Sequence, residues 1–178
     1  AGDEIVLSIM EHHSNIVPWN FWRERHGAVI KWAPVDDEGN FLIEEFEKLL
    51  TARTKIVAIT QMSNALGTLV PIKEVVRLAH ARGIPVLVDG AQGAVHLPVD
   101  VQDLDCDFYA FTGHKVYGPT GIGVLYGKAD RLREMRPFLS TAAIAMGVDW
   151  KKRMKRTSAE RWVSAAAPSC ARLSTSVR

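Results

Sequence analysis

Residues 84–89, Ile-Pro-Val-Leu-Val-Asp, run apolar at every position until the last. A strand with one wet face alternates polar and apolar side chains, so an unbroken run of this kind belongs to a strand covered on both faces, as in a parallel sheet. Further strand-like runs stand at residues 5–9, 28–33, 55–62, 107–111 and 122–126. Helical patterns separate them. Residues 43–50 carry Glu44 and Glu45 in the first turn, favourable to the helix dipole, and residues 72–82 place Ile72, Val75, Val76 and Ala79 at helical spacing before Gly83 ends the run. A further helix is expected to run to His26 with Ser14 or Asn15 as its N-cap and Gly27 after it, and another starts at Asp130. Strands alternating with helices of this length predict an α/β fold, a mainly parallel sheet with flanking helices.

In such sheets ligands bind beyond the carboxyl ends of the strands. Four polar groups stand there: Glu11-His12-His13, Ser63-Asn64, Asp89-Gly90-Ala91-Gln92 and Thr112-Gly113-His114-Lys115. Together they supply an acid, an amide, an imidazole, a hydroxyl and an amine, the inventory needed to hold pyridoxal phosphate. Lys115, directly after a strand and before a glycine-rich turn, is placed to form a Schiff base with an aldehyde; a lysine met alone is ordinarily a surface residue. Asp89 ends a run in which a carboxylate is costly to bury without a partner, and a protonated pyridine nitrogen is such a partner; capping of the next helix is the plainer alternative. Gln92 could hydrogen-bond the cofactor's phenolic oxygen. His12 offers a flat ring for stacking and an ordinary pKa near neutrality for proton transfer, with His13 adjacent and equally open to that choice. Thr112 and His114 suit a phosphate, and Asn64 suits the cofactor oxygen or a substrate carboxylate. No dinucleotide fingerprint or P-loop is present, and His12-His13 lacks a second ligand pair at metal spacing.

The series SIMEHHSNIVPW, ITQMSNALGT, VLVDGAQGAVHLPVDV and LDCDFYAFTGHKVYGPTGIGVLYGK, in this order, resembles the class V aminotransferase-like family of fold-type I pyridoxal phosphate enzymes. The similarity is greatest to the cysteine desulfurase and selenocysteine lyase branch, and it covers residues 2 to about 136. The resemblance implies that Lys115 is the Schiff-base lysine, Asp89 the partner of the pyridine nitrogen, Gln92 the contact to the phenolic oxygen and His12 the stacking ring. It implies phosphate contacts from Thr112 and His114, and a substrate-side amide at Asn64. The implied reaction converts L-cysteine to L-alanine and an enzyme persulfide, supplying sulfur for iron–sulfur clusters. A homodimer, a sulfur-acceptor protein as partner and a cytoplasmic location are implied with it, with no role for nucleic acid or membrane. Selenocysteine lysis, kynureninase-like cleavage and epimerisation stand as alternatives on the same scaffold, as does a catalytically inactive fragment.

The charge is divided along the chain. Residues 1–136 hold 14 basic and 18 acidic side chains, whereas residues 137–178 hold 8 basic and 2 acidic, with 8 Ala and 6 Ser. The expected organisation is therefore part of a cofactor-binding large domain over 1–136, followed by an atypical basic tail. Its only helical hint lies near residues 150–154, and its composition suits a shifted reading frame or disorder, with a basic nucleic-acid arm as the functional alternative. Ala1-Gly2-Asp3-Glu4 has neither an initiator Met nor a signal-peptide pattern and enters a strand at once, so a fragment of a longer protein is expected. Cys106 and Cys170 are too few for a disulfide framework and fit a reducing cytosol. Cys106 reads as a core residue, and Cys170 matches no family motif. The resemblance places the nucleophilic cysteine and the carboxylate-binding arginine in a later region.

Overall fold

The computed structural model describes residues 1–135 and the backbone of residues 161–166. In chain order the elements are β1 (Glu4–Ser8), α1 (Val17–His26), β2 (Val29–Ala33), α2 (Ile43–Leu49), β3 (Thr54–Thr60), α3 (Ile72–His80), β4 (Val86–Asp89), α4 (Gly93–His96), α5 (Val101–Leu104), β5 (Phe108–Thr112), β6 (Ile122–Gly127), α6 (Ala129–Glu134) and β7 (Arg161–Ala166). They build one sheet in the order β2-β1-β3-β4-β5-β6-β7. The five strands β2 to β5 are parallel, with Ile59 beside Val88 and Val88 beside Tyr109. β6 turns back antiparallel on β5, and β7 is antiparallel to β6. The sheet is thus α/β and mainly parallel, as the alternation predicts. β7 falls in the basic tail, where the sequence shows no strand pattern; the expected helix near 150–154 and Cys170 lie outside the described residues.

One face of the sheet carries the larger core. Val6, Val57, Ile59, Val86, Val88 and Tyr109 pack there against Phe46 of α2, Val75, Val76 and Ala79 of α3, and Val101 of α5. The helical spacing read in α3 is what aims its apolar side chains at the strands, each buried aliphatic group contributing about 1.5–3 kcal/mol. On the other face Ile5, Leu7, Ala28 and Ala58 form a smaller cluster, with Trp19 of α1 and the half-buried Ile30, Ile56 and Leu87 against it. The run at 84–89 is therefore fully buried on one side only: Val86 and Val88 are inaccessible, while Leu87 and Asp89 are half-buried. The partly open face is the one on which the strand ends form a cleft.

The start of α1 differs from the expected cap. Residues His13–Asn15 form a short 3-10 turn, capped by the His12 side chain, and α1 begins at Val17 with no side-chain cap. The Asn15 side chain is engaged elsewhere, donating to Glu11 and accepting from the Trp19 indole. Its amide therefore ties the turn to the strand ends instead of closing the helix.

Candidate active site

Beyond the carboxyl ends of β1, β3, β4 and β5 lies a cleft of about 510 Å³. Its walls include His12, Asn64, Asp89, Gln92, Thr112, His114 and Lys115, so all seven residues singled out in the sequence line one space. Alternation along the strands explains the convergence. Leu87 and Asp89 of β4 and Ala110 and Thr112 of β5 point to the face opposite Val86, Val88 and Tyr109, and all four border the cleft. Ser14, Asn15, Thr60, Met62, Ala91 and Phe111 complete the lining. Of the two adjacent histidines the cleft takes His12; the exposed His13 is absent from its walls.

The polar groups fall into two sets. Those beneath the floor are engaged with one another. Tyr109 donates its hydroxyl to Gln61 Oε1 at 2.6 Å, and the Glu11 carboxylate accepts from Ser8, Thr60 and Asn15. Burial pushes the Glu11 carboxyl above its usual range, opposed by those same hydrogen bonds. Groups on the cleft wall are only partly committed. Asp89 Oδ1 accepts the Ala91 N–H at 2.9 Å, while the Lys115 amine and the side-chain amides of Gln92 and Asn64 make no hydrogen bond within the described residues. Lys115 sits in a 3-10 turn, Gly113–Val116, held between β5 and β6. Thr112 Oγ1 lies 2.8 Å from His114 Nδ1, pairing the hydroxyl with the imidazole at the head of that turn.

The His12 ring is held at its Nδ1 edge by Ser14. Its Nδ1 accepts the Ser14 backbone N–H at 3.2 Å and lies 2.9 Å from the Ser14 hydroxyl. A ring nitrogen that accepts an amide hydrogen carries none of its own, so this contact favours the neutral tautomer with its hydrogen on Nε2. The loop bearing Asp89 and Gln92 is set by close packing: a Cβ on Gly90 would stand 2.0 Å from the Tyr109 ring, and one on Gly93 would stand 2.0 Å from Gln61 Oε1.

The description aminotransferase class-V fits residues 1–174 of the chain. The chain belongs to the aminotransferase class-V family. Among relatives in this family, the cysteine desulfurase of Synechococcus elongatus is 54% identical over 151 residues, covering 85% of this chain and 24% of that protein. The cysteine desulfurase of Enterobacter sp. strain 638 is 51% identical over 158 residues, covering 85% of this chain and 39% of the relative. The solved cysteine desulfurase CsdA of Escherichia coli superposes with a TM-score of 0.78 at 42% identity, over 94% of this chain and 40% of that one. The apo cysteine desulfurase of Thermococcus onnurineus gives a TM-score of 0.73 at 40% identity, over 78% of this chain and 34% of its own. The aminotransferase class-V chain described here thus spans about a quarter to two fifths of the length of these relatives. Among its described residues no group of three His, Cys, Asp or Glu side chains could hold a metal ion, and no helix is long and apolar enough to cross a membrane.

Several cleft residues carry no sequence signal of their own. Asn15 reads as a helix cap and Thr60 as an ordinary strand residue, yet both border the cleft. Thr60 ends β3, two residues before the end of the strand run read in the sequence, so a strand-end criterion lands on Met62, which also borders the cleft. Ser63, named in the sequence beside Asn64, is buried instead, its hydroxyl accepting the N–H groups of Ala65 and Leu66 to shape the turn.

Proposed function

We propose that this chain forms the cofactor-binding part of a pyridoxal phosphate-dependent cysteine desulfurase, and that the cleft at the strand ends is its cofactor site. The observation carrying this reading is the contrast between the two polar sets: an engaged network below, and above it an amine and two amides that make no hydrogen bond within the described residues, beside the Asp89 carboxylate, which accepts a single backbone N–H. Pyridoxal phosphate, the cofactor of this family, presents a complementary set of groups: a ring N–H, a phenolic oxygen, an aldehyde and a phosphate. When bound, it supplies an electron sink for bonds broken at a substrate's α-carbon.

Asp89, at the end of β4, would accept the ring N–H and hold that nitrogen protonated. Lys115 Nζ would attach to the aldehyde, yield to the substrate amine and then move a proton at the α-carbon. The Gln92 amide would donate to the phenolic oxygen. His12 would lie on the ring face with Nε2–H available as a donor, Thr112 and His114 would hold the phosphate, and Asn64 would face the substrate carboxylate. L-Cysteine is favoured over the family's other substrates because the curated relatives quoted above are named cysteine desulfurases. A homodimer and a sulfur-acceptor protein belong to the same proposal for the whole protein, as does its cytoplasmic location; every assigned residue precedes Arg136, while β7 of the later segment joins the same sheet.

A second observation concerns the chain by itself. Cys106, the cysteine among the described residues, is fully buried, and burial pushes its thiol up to about 12. Attack on a substrate sulfur requires a thiolate, so Cys106 is not the nucleophile and that role belongs elsewhere in the whole protein. Incubation with pyridoxal phosphate followed by borohydride reduction and peptide mapping tests the reading. A reduced adduct on Lys115, lost in Lys115→Ala, is expected; no adduct, or one undiminished in the variant, refutes it.

A further inference from the structure

Glu11 lies directly under the cleft, and the chemistry proposed above makes no use of it. It is 7% exposed. Its Oε1 accepts the Thr60 N–H at 3.0 Å, the Ser8 N–H at 3.3 Å and the Ser8 hydroxyl at 2.5 Å, and its Oε2 accepts the Asn15 amide at 2.8 Å. The pairing of β1 with β3 ends at Val6 and Val57, although β3 continues to Thr60. Across that parting the carboxylate does what a strand carbonyl does elsewhere, taking the backbone N–H of Thr60. Asn15 in turn accepts the Trp19 indole N–H at 3.1 Å, which ties α1 into the same network. His12 is the residue after Glu11, and its own ring is held by Ser14 inside the span so anchored.

We propose that Glu11 is a positioning residue for His12: clamped by Ser8, Thr60 and Asn15, its carboxylate fixes the span 11–15 and with it the plane and tautomer of the His12 ring at the cleft. The inference rests on the reading of the cleft as a pyridoxal phosphate site. Four hydrogen bonds converge on an acceptor-only group, so the isosteric change Glu11→Gln turns an amide N–H toward either the strand-end donors or Asn15. A buried donor then faces a donor, and the span must move to separate them.

The test uses the full chain with 15N-labelled histidine, read through the imidazole nitrogen shifts at alkaline pH, where the rings are neutral. The wild type is expected to show His12 as one tautomer with its hydrogen on Nε2. Glu11→Gln is expected to show both tautomers at His12, while His80, held by Asp107, keeps its pattern and reports an intact fold. Asn15→Ala removes a single donor from the clamp and gives a smaller change in the same direction; it decides the matter if Glu11→Gln does not fold. In parallel, titration with pyridoxal phosphate followed by induced circular dichroism should show a weakened signal and an affinity lowered about tenfold in Glu11→Gln, the size expected when a contact group is displaced without being removed. His12 shifts unchanged in a folded Glu11→Gln, or in Asn15→Ala where only that variant folds, overturn the proposal. A wild-type chain that binds no pyridoxal phosphate overturns the cofactor reading instead, and the tautomer comparison still decides the role of Glu11.

Discussion

Replacing Gly90 by alanine tests whether the loop carrying Asp89 and Gln92 is held by close approach. The added Cβ would stand 2.0 Å from Tyr109 Cζ, 2.1 Å from Cε1 and 2.3 Å from the hydroxyl oxygen. Carbon atoms settle near 3.5–4.0 Å, so ring or loop must retreat by roughly 1.5 Å. Neither is free to do so. Tyr109 is 1% exposed and bonded to Gln61, and the Gly90 N–H donates to the Ala110 carbonyl at 2.8 Å. Overpacking of this kind removes about 1–3 kcal/mol, and stranding the Tyr109–Gln61 pair removes about 1–3 kcal/mol more. The expected loss of about 2–6 kcal/mol is a large part of the ~5–15 kcal/mol of a typical domain. Urea denaturation followed by tryptophan fluorescence measures it. Combining Gly90→Ala with Tyr109→Leu, which removes the ring, should recover at least about 1 kcal/mol relative to the sum of the single changes. A loss below about 1 kcal/mol for Gly90→Ala, or strict additivity in the pair, would refute the close-approach reasoning.

Two further outcomes follow from the buried groups. Burial alone would raise the Glu4 carboxyl, but hydrogen bonds from Thr51, Lys31 and Arg53 outweigh it and hold the group at about 2. Because the folded pKa is depressed, the stabilisation is complete above the ordinary carboxylate range and is lost as pH falls toward 2; Glu4→Gln should lower stability at neutral pH by about 2–3 kcal/mol and flatten the acid limb of a stability–pH curve, and an acid limb that keeps the wild-type slope speaks against it. Cys106 should react with iodoacetamide about a thousandfold more slowly than an exposed thiol at mildly alkaline pH, with mass spectrometry of its peptide as the readout; labelling as fast in the folded chain as in denaturant would contradict its burial.

The strands were legible because β-branched runs and helical spacing are local signals. The apolar run ending in Asp89 announced a parallel sheet, and a rule about strand ends then sufficed to gather Lys115, Asp89, Gln92, His12, Thr112, His114 and Asn64 around one cleft. Contacts between distant segments left no such trace. Glu11 meets Thr60 across two strands, and Tyr109 meets Gln61 and Gly90 from a third; nothing in the spacing of these residues shows that they touch. Asn15 misled for a related reason: an amide before a helix reads as a cap, whereas here the buried Glu11 carboxylate and the Trp19 indole both bond to it. β7 was illegible because the short run at 161–166 has no flanking pattern, and its place follows from pairing with β6.

The antiparallel turn between β5 and β6 also bears on the order in which the cleft is assembled. Lys115 sits between two strands that follow one another in the chain and pair directly, so its station closes by a short excursion, whereas the His12 wall waits for Glu4 of β1 to find Thr54 of β3 across an intervening strand and two helices. Short-range pairing is kinetically favoured over long-range pairing. On refolding, the Lys115 turn is therefore expected to be in place before the His12 wall, so that one side of the cleft is built while the other is still open.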